Sequence, residues 1–145
     1  MPFSEKFSFL GTPQLHEIAD QWNWDDGLEE LHLIIEHPAC ALGTALLIYW
    51  RGHPHYFRQY THRDEVEYYN RDNYDLLMRI EEKMKRGDFR YFGINYDPRN
   101  DLGGVDLTIP PSGKGRFAFK PKRAIPSYMC LATTSDGIEQ FQLKQ

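Results

Sequence analysis

Residues 37–50 of this 145-residue chain read HPACALGTALLIYW. From Ala39 to Trp50 the apolar residues fall on almost every side of a helix, which is typical of a helix buried at the centre of a domain. Gly43 costs this helix about 1 kcal/mol relative to alanine, so its presence predicts that a neighbouring helix approaches closely. Gly52 and Pro54 supply the helix end. The stretch therefore predicts a central core helix over residues 39–50.

Three further segments with helical periodicity surround this core helix in the sequence. A threonine–proline start and an apolar stripe predict a helix over residues 12–23. A second stripe predicts a short helix over residues 27–36, which Pro38 must end. The third segment, residues 61–87, ends in a typical C′ glycine, and its polar residues 70–73 are a point where it can divide into two helices.

After residue 88 the pattern becomes that of short strands. Residues 89–96, 105–109 and 128–133 are aromatic or alternate apolar with polar residues, with turn signals between them. Two or three short strands are marginally stable alone, so we expect them to pack on the helices.

The predicted fold class is α+β. A helical core of four or five helices spans residues 13–87, and a small irregular β element over residues 88–145 wraps it. A chain of this length buries enough surface for an independent core, so residues 1–145 are expected to form a single domain.

Charge is distributed unevenly along the chain. The net charge is -4, yet residues 1–50 carry eight acidic residues against the single Lys6. A general nucleic-acid binder needs clustered cations, so this third argues against that class and favours a basic partner if it forms a contact surface. A solvated acidic face is the alternative.

The sequence predicts a cytoplasmic protein without a membrane segment. Residues 1–10 lack a continuous apolar signal region, and the longest apolar run, residues 45–50, is too short to cross a bilayer. Cys40 and Cys130 lie ninety positions apart without a C-x-x-C pair, which indicates two buried thiols rather than a zinc or disulfide framework. A helix start lowers thiol pKa values, so a reactive Cys40 is the alternative.

The segment NWDDG, residues 23–27, separates the first two predicted helices. Asp26 and Glu29 have the spacing of a capping box, which predicts that Asp26 caps the second helix. Trp24 and Asp25 then have no structural task, which makes them candidates for binding. Aromatic anchors rimmed by charge are typical of tight protein interfaces. The full set of predicted binding residues is Trp24, Asp25, Glu29, Glu30, Tyr56 and Tyr60.

Four residues after the core helix form the alternative candidate site. His53, His55, His62 and Asp64 are residue types that bind zinc and related metals. An H-x-H pair converges best on a strand, whereas here Gly52 and a proline form a turn, and exposed loop histidines are the competing interpretation. The cluster would make the protein a metal-dependent hydrolase.

A basic stretch near the C-terminal end permits one more interpretation. Cations interleave with two phenylalanines in a pattern that can contact phosphates and stack on bases. A basic edge strand that discourages aggregation is the competing interpretation. The stretch comprises Lys114, Arg116, Phe117, Phe119, Lys120, Lys122 and Arg123.

The NWDDG segment and the residues HPACALGTALLIYW together resemble the bacterial family called domain of unknown function 4274. Its core pattern is similar to N-W-D-D-G, an apolar helix, then H/N-P-x-C-x-L-G-T-A-L-L-x-x-W, and the resemblance covers about residues 13–90. The chain departs from it at Ala39 and Ala41, where a polar pair is expected. The resemblance implies a fold, and it implies no activity and no catalytic residues.

Taken together, these features predict a protein-binding module rather than an enzyme, with no cofactor. The favoured partner is a protein, in particular a basic toxin that an immunity-type protein neutralises by covering it. Neither a nucleic-acid partner nor a membrane partner is predicted.

Overall fold

The structure, a computed structural model, describes residues 6–133, and this part of the chain contains four α-helices. Helix α1 spans Thr12–Asp20, α2 Glu29–Glu36, α3 Leu42–Arg51 and α4 Arg71–Lys85. Helix α3 contacts both α1 and α4, and its first nine residues are all buried. The prediction of a central core helix is confirmed.

Helix α4 begins later than the sequence predicted. Two short 3₁₀ turns, Arg63–Glu65 and Tyr68–Asn70, replace the first part of the predicted helix. The end of α4 agrees with the prediction, because Gly87 has a left-handed φ of 74°. Its N–H donates to Met84 O, and the N–H of Asp88 donates to Lys83 O, which is the Schellman arrangement.

The predicted β element is wrong for the residues that the structure describes. Residues 88–133 form no β-strand, so the described fold is helix-rich rather than α+β. Pairing is limited to isolated bridges: Ala41 with Arg90, Tyr96 with Thr133, and Asp101 with Val105. Residues 134–145 of the predicted wrap lie outside the described part.

Local backbone geometry explains why the strand pattern failed. Phe92 and Gly93 both have positive φ values, 49° and 83°, so the aromatic run over residues 89–96 bends in its middle. Val105 and Ile109 alternate with polar residues but are exposed, so their alternation marks no buried sheet face. Residues 127–129 form a 3₁₀ turn. In residues 88–133 the apolar side chains that are buried therefore pack individually from loops and do not form the face of a sheet.

The segment after α4 nevertheless packs on the helices. Met129 is fully buried in the same apolar cluster as α3, and its carbonyl oxygen accepts a 2.7 Å hydrogen bond from the indole N–H of Trp50. At Gly43 a Cβ atom would lie 2.6 Å from Thr133 Oγ1 and 2.9 Å from Ile94 O. Close approach at Gly43 is therefore real, but the neighbour is this segment and not a helix.

A buried carboxylate joins α3, α4 and the C-terminal segment. Glu81 of α4 is 7% exposed and accepts a 2.7 Å hydrogen bond from the Tyr49 hydroxyl of α3. The Arg123 guanidinium donates to its other oxygen. A buried charge needs partners of this kind to offset its lost hydration.

Candidate functional site

The NWDDG segment folds as a tight turn between α1 and α2. Residues 24–26 form a 3₁₀ turn in which the Asn23 side chain accepts a 3.0 Å hydrogen bond from the N–H of Asp25. Gly27 has φ 91°, a conformation that favours glycine. The Trp22 indole N–H donates to the Gly27 carbonyl oxygen at 2.9 Å. These two hydrogen bonds therefore hold the turn at both ends, one through the Asn23 side chain and one through the Gly27 carbonyl oxygen.

Two predictions about this segment change. Asp26 does not cap α2, because the residue before the helix is Leu28, and no side-chain cap bonds to the first turn. Trp24 does have a structural contact: its Cη2 atom lies 3.2 Å from where a Cβ would stand at Gly52, so the half-buried indole leans on the end of α3.

The remaining side chains of the turn form an unpaired acidic surface, which we define as Asp25, Asp26 and Glu29. All three residues are exposed, and none has an ion-pair partner within residues 6–133. Neighbouring acids differ, since Glu30 pairs with Lys6 at 2.8 Å and Glu36 pairs with Arg79 and Lys83. Among residues 6–50, the acids without an ion-pair partner in the described part of the chain are these three and Glu17, so most of the uncompensated negative charge there lies at this turn.

An exposed pair of tyrosines is connected to this surface through α2 and the start of α4. Glu29 and His32 are three residues apart and share one side of α2. His32 Nε2 lies 2.9 Å from Asp72 Oδ1, at the start of α4. One turn before Asp72 are Tyr68 and Tyr69, which are 81% and 70% exposed and whose rings meet edge to face at 5.6 Å. Their exposure gave no sequence signal, because tyrosine patterns alone do not separate core from surface.

Tyr56 and Tyr60, in contrast, are interior residues. Each is 8% exposed, and both hydroxyls donate 2.7 Å hydrogen bonds to the carboxylate of Glu67. These hydrogen bonds lower the pKa of Glu67. Because the rings are buried, Tyr56 and Tyr60 present little surface to a partner, and their role in binding stays a prediction.

The predicted metal ligands are not brought together as a site. Residues 6–133 contain no group of three or more His, Cys, Asp or Glu side chains that could hold a metal ion. His55 packs at 5.7 Å from the Trp50 ring and bonds to Leu107 O, whereas His62 and Asp64 lie exposed at a 3₁₀ turn. A hydrolase built on His53, His55, His62 and Asp64 therefore has no support.

The cysteine and the phenylalanines of the other two candidate sites are packed within the fold. Cys40 is buried, and burial raises the pKa of its thiol to about 12, which opposes a reactive thiolate. In the basic stretch, Phe117 and Phe119 pack edge-on against Tyr56, and the Arg116 guanidinium lies 4.5 Å from the same ring. These phenylalanine rings are occupied within the fold rather than presented to bases.

A polar cluster that sequence reasoning missed joins α1, α3 and a later loop. Arg51 pairs with Asp20 at 2.9 Å and with Asp101 at 2.8 Å, and the Tyr96 hydroxyl donates to Asp101 at 2.6 Å. Burial opposes ionisation of Asp101, yet the hydrogen bonds from Arg51 and Tyr96 outweigh it and lower its pKa. Asp20, Arg51, Tyr96 and Asp101 line a cavity together with His16, whose Nδ1 atom lies 2.8 Å from Thr44 Oγ1. All these groups are mutually satisfied, which is typical of a structural clamp.

Among the helices of the described residues, none combines the length and hydrophobicity needed to cross a membrane.

Comparisons with known proteins identify a family for this chain. No curated protein and no solved structure matches the chain. The model of the family described as Domain of unknown function (DUF4274) matches residues 11–85, which include α1 to α4 and the NWDDG turn. These are 75 of the 145 residues, and the chain therefore belongs to this family, as its motifs indicated.

Proposed function

We propose that this protein binds another protein through the unpaired acidic surface and the adjacent Tyr68–Tyr69 pair. The observation that carries the proposal is that Asp25, Asp26 and Glu29 are exposed without a cation partner in residues 6–133. Surface carboxylates without a cation partner add little to the stability of the fold. A basic surface on a partner protein, however, is attracted to them, which speeds association and fixes the orientation of the complex.

The two tyrosines supply what the carboxylates lack. Tyrosine is enriched among the residues that dominate binding energies, since its ring has a large contact area and loses little conformational entropy. Tyr68 and Tyr69 are 81% and 70% exposed, so their rings are free to contact a partner. An exposed aromatic pair together with an acidic surface favours a basic protein that presents apolar contacts between its cations.

The favoured role is that of a cytoplasmic immunity-type protein that neutralises a basic toxin by covering it. Neutralisation by direct binding needs no reactive group. This agrees with a surface that consists of carboxylates and tyrosine rings. The proposal predicts a toxic, basic protein encoded beside this chain, and it predicts that the pair forms a complex.

The test is to co-express this chain with that neighbouring protein and to measure growth and complex formation. Removing the three charges, in Asp25→Asn, Asp26→Asn and Glu29→Gln together, is expected to weaken binding at least about tenfold at low salt and less at high salt. A control with the same change in charge removes three exposed carboxylates elsewhere, in Glu17→Gln, Asp64→Asn and Glu82→Gln, of which Glu82 has ion pairs.

Equal weakening by both triple variants would show that only net charge matters and would overturn the proposed surface. If Tyr68→Ala and Tyr69→Ala left the affinity unchanged, the aromatic part would be wrong. Failure of any neighbouring toxic protein to bind would remove the immunity role.

A further inference from the structure

Residues 107–133 carry five lysines and arginines and no acidic residue. Two of these cations have a carboxylate partner, because Lys122 pairs with Glu65 at 3.0 Å and Arg123 pairs with Glu81. The other three are exposed and have no ion pair within residues 6–133. We define them as the unpaired basic surface: Lys114, Arg116 and Lys120.

Contacts with a single ring hold this stretch in place. The Arg116 guanidinium lies 4.5 Å from the centre of the Tyr56 ring, and Phe117 and Phe119 meet the same ring edge-on at 6.1 and 6.5 Å. The two lysines of the surface lie two residues before and one residue after these contacts. Since one residue spans at most about 3.6 Å, the backbone of all three cations lies near this ring.

Two histidines that follow α3 respond to the positive charge of this region. Burial lowers the pKa of His53, and the charge of Arg116 lowers it further. Burial also lowers the pKa of His55, where a hydrogen bond to Leu107 opposes the effect and the charge of Arg58 adds to it. The positive potential of the basic stretch therefore extends beyond its own residues.

The unpaired acidic surface has the same number of charges and the opposite sign. In the described part of the chain no ion pair joins the acidic to the basic surface, so neither neutralises the other within one copy. Oppositely charged surfaces attract each other between molecules and orient the encounter. A second copy of this chain carries three exposed carboxylates that match the three cations in number.

We propose that this chain associates with a second copy of itself, with the unpaired acidic surface of one copy facing the unpaired basic surface of the other. The contact is between exposed charges, so it is weak and sensitive to salt. It covers the acidic surface, so a second copy and a basic protein partner exclude each other there. The inference does not rest on that partner, because it is tested with this chain alone.

Sedimentation velocity of the full chain at low and high salt tests the proposal. The Debye length is about 30 Å at ~0.01 M salt and about 3 Å at ~1 M salt, so the attraction is strong in the first buffer and screened in the second. At up to about 1 mM protein, the chain is expected to self-associate at low salt, with an association constant at least about tenfold smaller at high salt. A chain that stays monomeric at low salt, or that associates equally in both buffers, would overturn the proposal.

Charge reversal identifies the two surfaces. One variant reverses the basic surface, in Lys114→Glu, Arg116→Glu and Lys120→Glu. A second variant reverses the acidic surface, in Asp25→Lys, Asp26→Lys and Glu29→Lys. Each variant alone should stay monomeric, because surfaces of like charge then face each other. An equimolar mixture should associate again, because opposite charges are restored across both kinds of contact, and a mixture that stays monomeric would contradict the proposed pairing.

A control separates the surfaces from net charge. The variant Glu17→Lys, Asp64→Lys and Glu82→Lys has the same net charge as the acidic-surface variant but keeps both surfaces, so it should self-associate like the natural chain. Equal loss of association in this control and in the acidic-surface variant would show that only net charge matters and would overturn the assigned contact. Where a variant does not fold, the salt dependence of the natural chain decides.

Discussion

At position 43 the absence of a side chain allows two later parts of the chain to touch α3. A Cβ there would stand 2.6 Å from Thr133 Oγ1 and 2.9 Å from both the Cγ2 and the carbonyl oxygen of Ile94. Real Cβ atoms do not approach backbone oxygens this closely. Gly43 therefore has a packing role that outweighs the conformational freedom it adds to the unfolded chain.

Gly43→Ala is expected to lower the free energy of unfolding by about 1–2 kcal/mol. The substitution favours the helix by about 1 kcal/mol, but overpacking of a tight core costs typically 1–3 kcal/mol, and the fixed Ile94 backbone favours the upper part of that range. Urea denaturation measures the difference. Gly113→Ala is the control, because a Cβ at Gly113 meets nothing within 4 Å. A stabilised Gly43→Ala variant would contradict the tight packing.

The sequence indicated that Gly43 needed space, but it could not identify the neighbour. Ile94 and Thr133 lie far along the chain in segments without periodicity, so no local pattern points to them. The predicted cap at Asp26 was wrong because a local pattern fitted but the backbone did not follow it. Its spacing to Glu29 fits a capping box, but the positive φ of Gly27 separates the 3₁₀ turn from α2, so the helix starts at Glu29 without that cap.

Among the elements, α4 carries two adjacent glutamates with different surroundings. Glu81 faces the interior and binds the side chains of Tyr49 and Arg123, whereas Glu82 is exposed and pairs with Arg79 and Arg86 on its own helix. Breaking a buried charge pair leaves the remaining partner without compensation, while exposed pairs contribute little.

Glu81→Ala is expected to lower the free energy of unfolding by about 3 kcal/mol, and Glu82→Ala by less than about 1 kcal/mol. Both substitutions change helix propensity equally, so the comparison isolates the surroundings. Thermal or urea denaturation of the two variants at neutral pH measures the effect. Equal losses would show that the Glu81 contacts do not stabilise the fold.

The helices were predictable because burial of one face repeats along them, and α3 is apolar on nearly every side. The absence of strands in residues 88–133 was not predictable, because loops in which single aromatic residues are buried have the same composition as strands. Tyr96 pairs with Thr133 through two backbone hydrogen bonds and makes no longer ladder. A strand requires an extended partner beside it, and the turn at Phe92 and Gly93 prevents that extension.

At the scale of the whole molecule, ion pairs between helices make stability depend on pH. The hydrogen bond from Arg79 of α4, followed by that from Lys83, lowers the pKa of Glu36 in α2 from 4.5 to about 2. A lowered pKa in the folded state adds stability above pH 4.5, and this contribution disappears as the pH falls to about 2. Because the Glu36 side chain is 41% exposed, solvent screening keeps the contribution below about 1 kcal/mol.

Glu36→Gln should therefore destabilise the chain at neutral pH, and the difference from the natural chain should shrink to zero as the pH approaches 2. Urea denaturation across this range gives the measurement. Glu29→Gln supplies the matched control, since it removes a carboxylate without an ion pair in the described residues. The same trend in both variants would contradict the assigned role of Arg79.

The candidate surface was only partly predictable at this scale. The acidic N-terminal third and the NWDDG turn gave Asp25 and Glu29 directly. Tyr68 and Tyr69 are connected to them only through the contact of His32 with Asp72, which are forty positions apart. Tyr56 and Tyr60 have the same chemistry but face Glu67 inside the fold, a difference set by tertiary packing alone.

The hydrogen bond from Trp50 to the carbonyl oxygen of Met129 spans 79 positions and has a consequence for synthesis. Domains form from their N-terminal end as the ribosome adds about 5–20 residues per second, so the indole of Trp50 waits roughly 4–16 s for its acceptor. Once residue 85 has been added, α1 to α4 exist without Met129 in their core and without the loop that closes over Trp50. The nascent chain is therefore expected to expose apolar surface of the kind that chaperones bind until translation has passed residue 129.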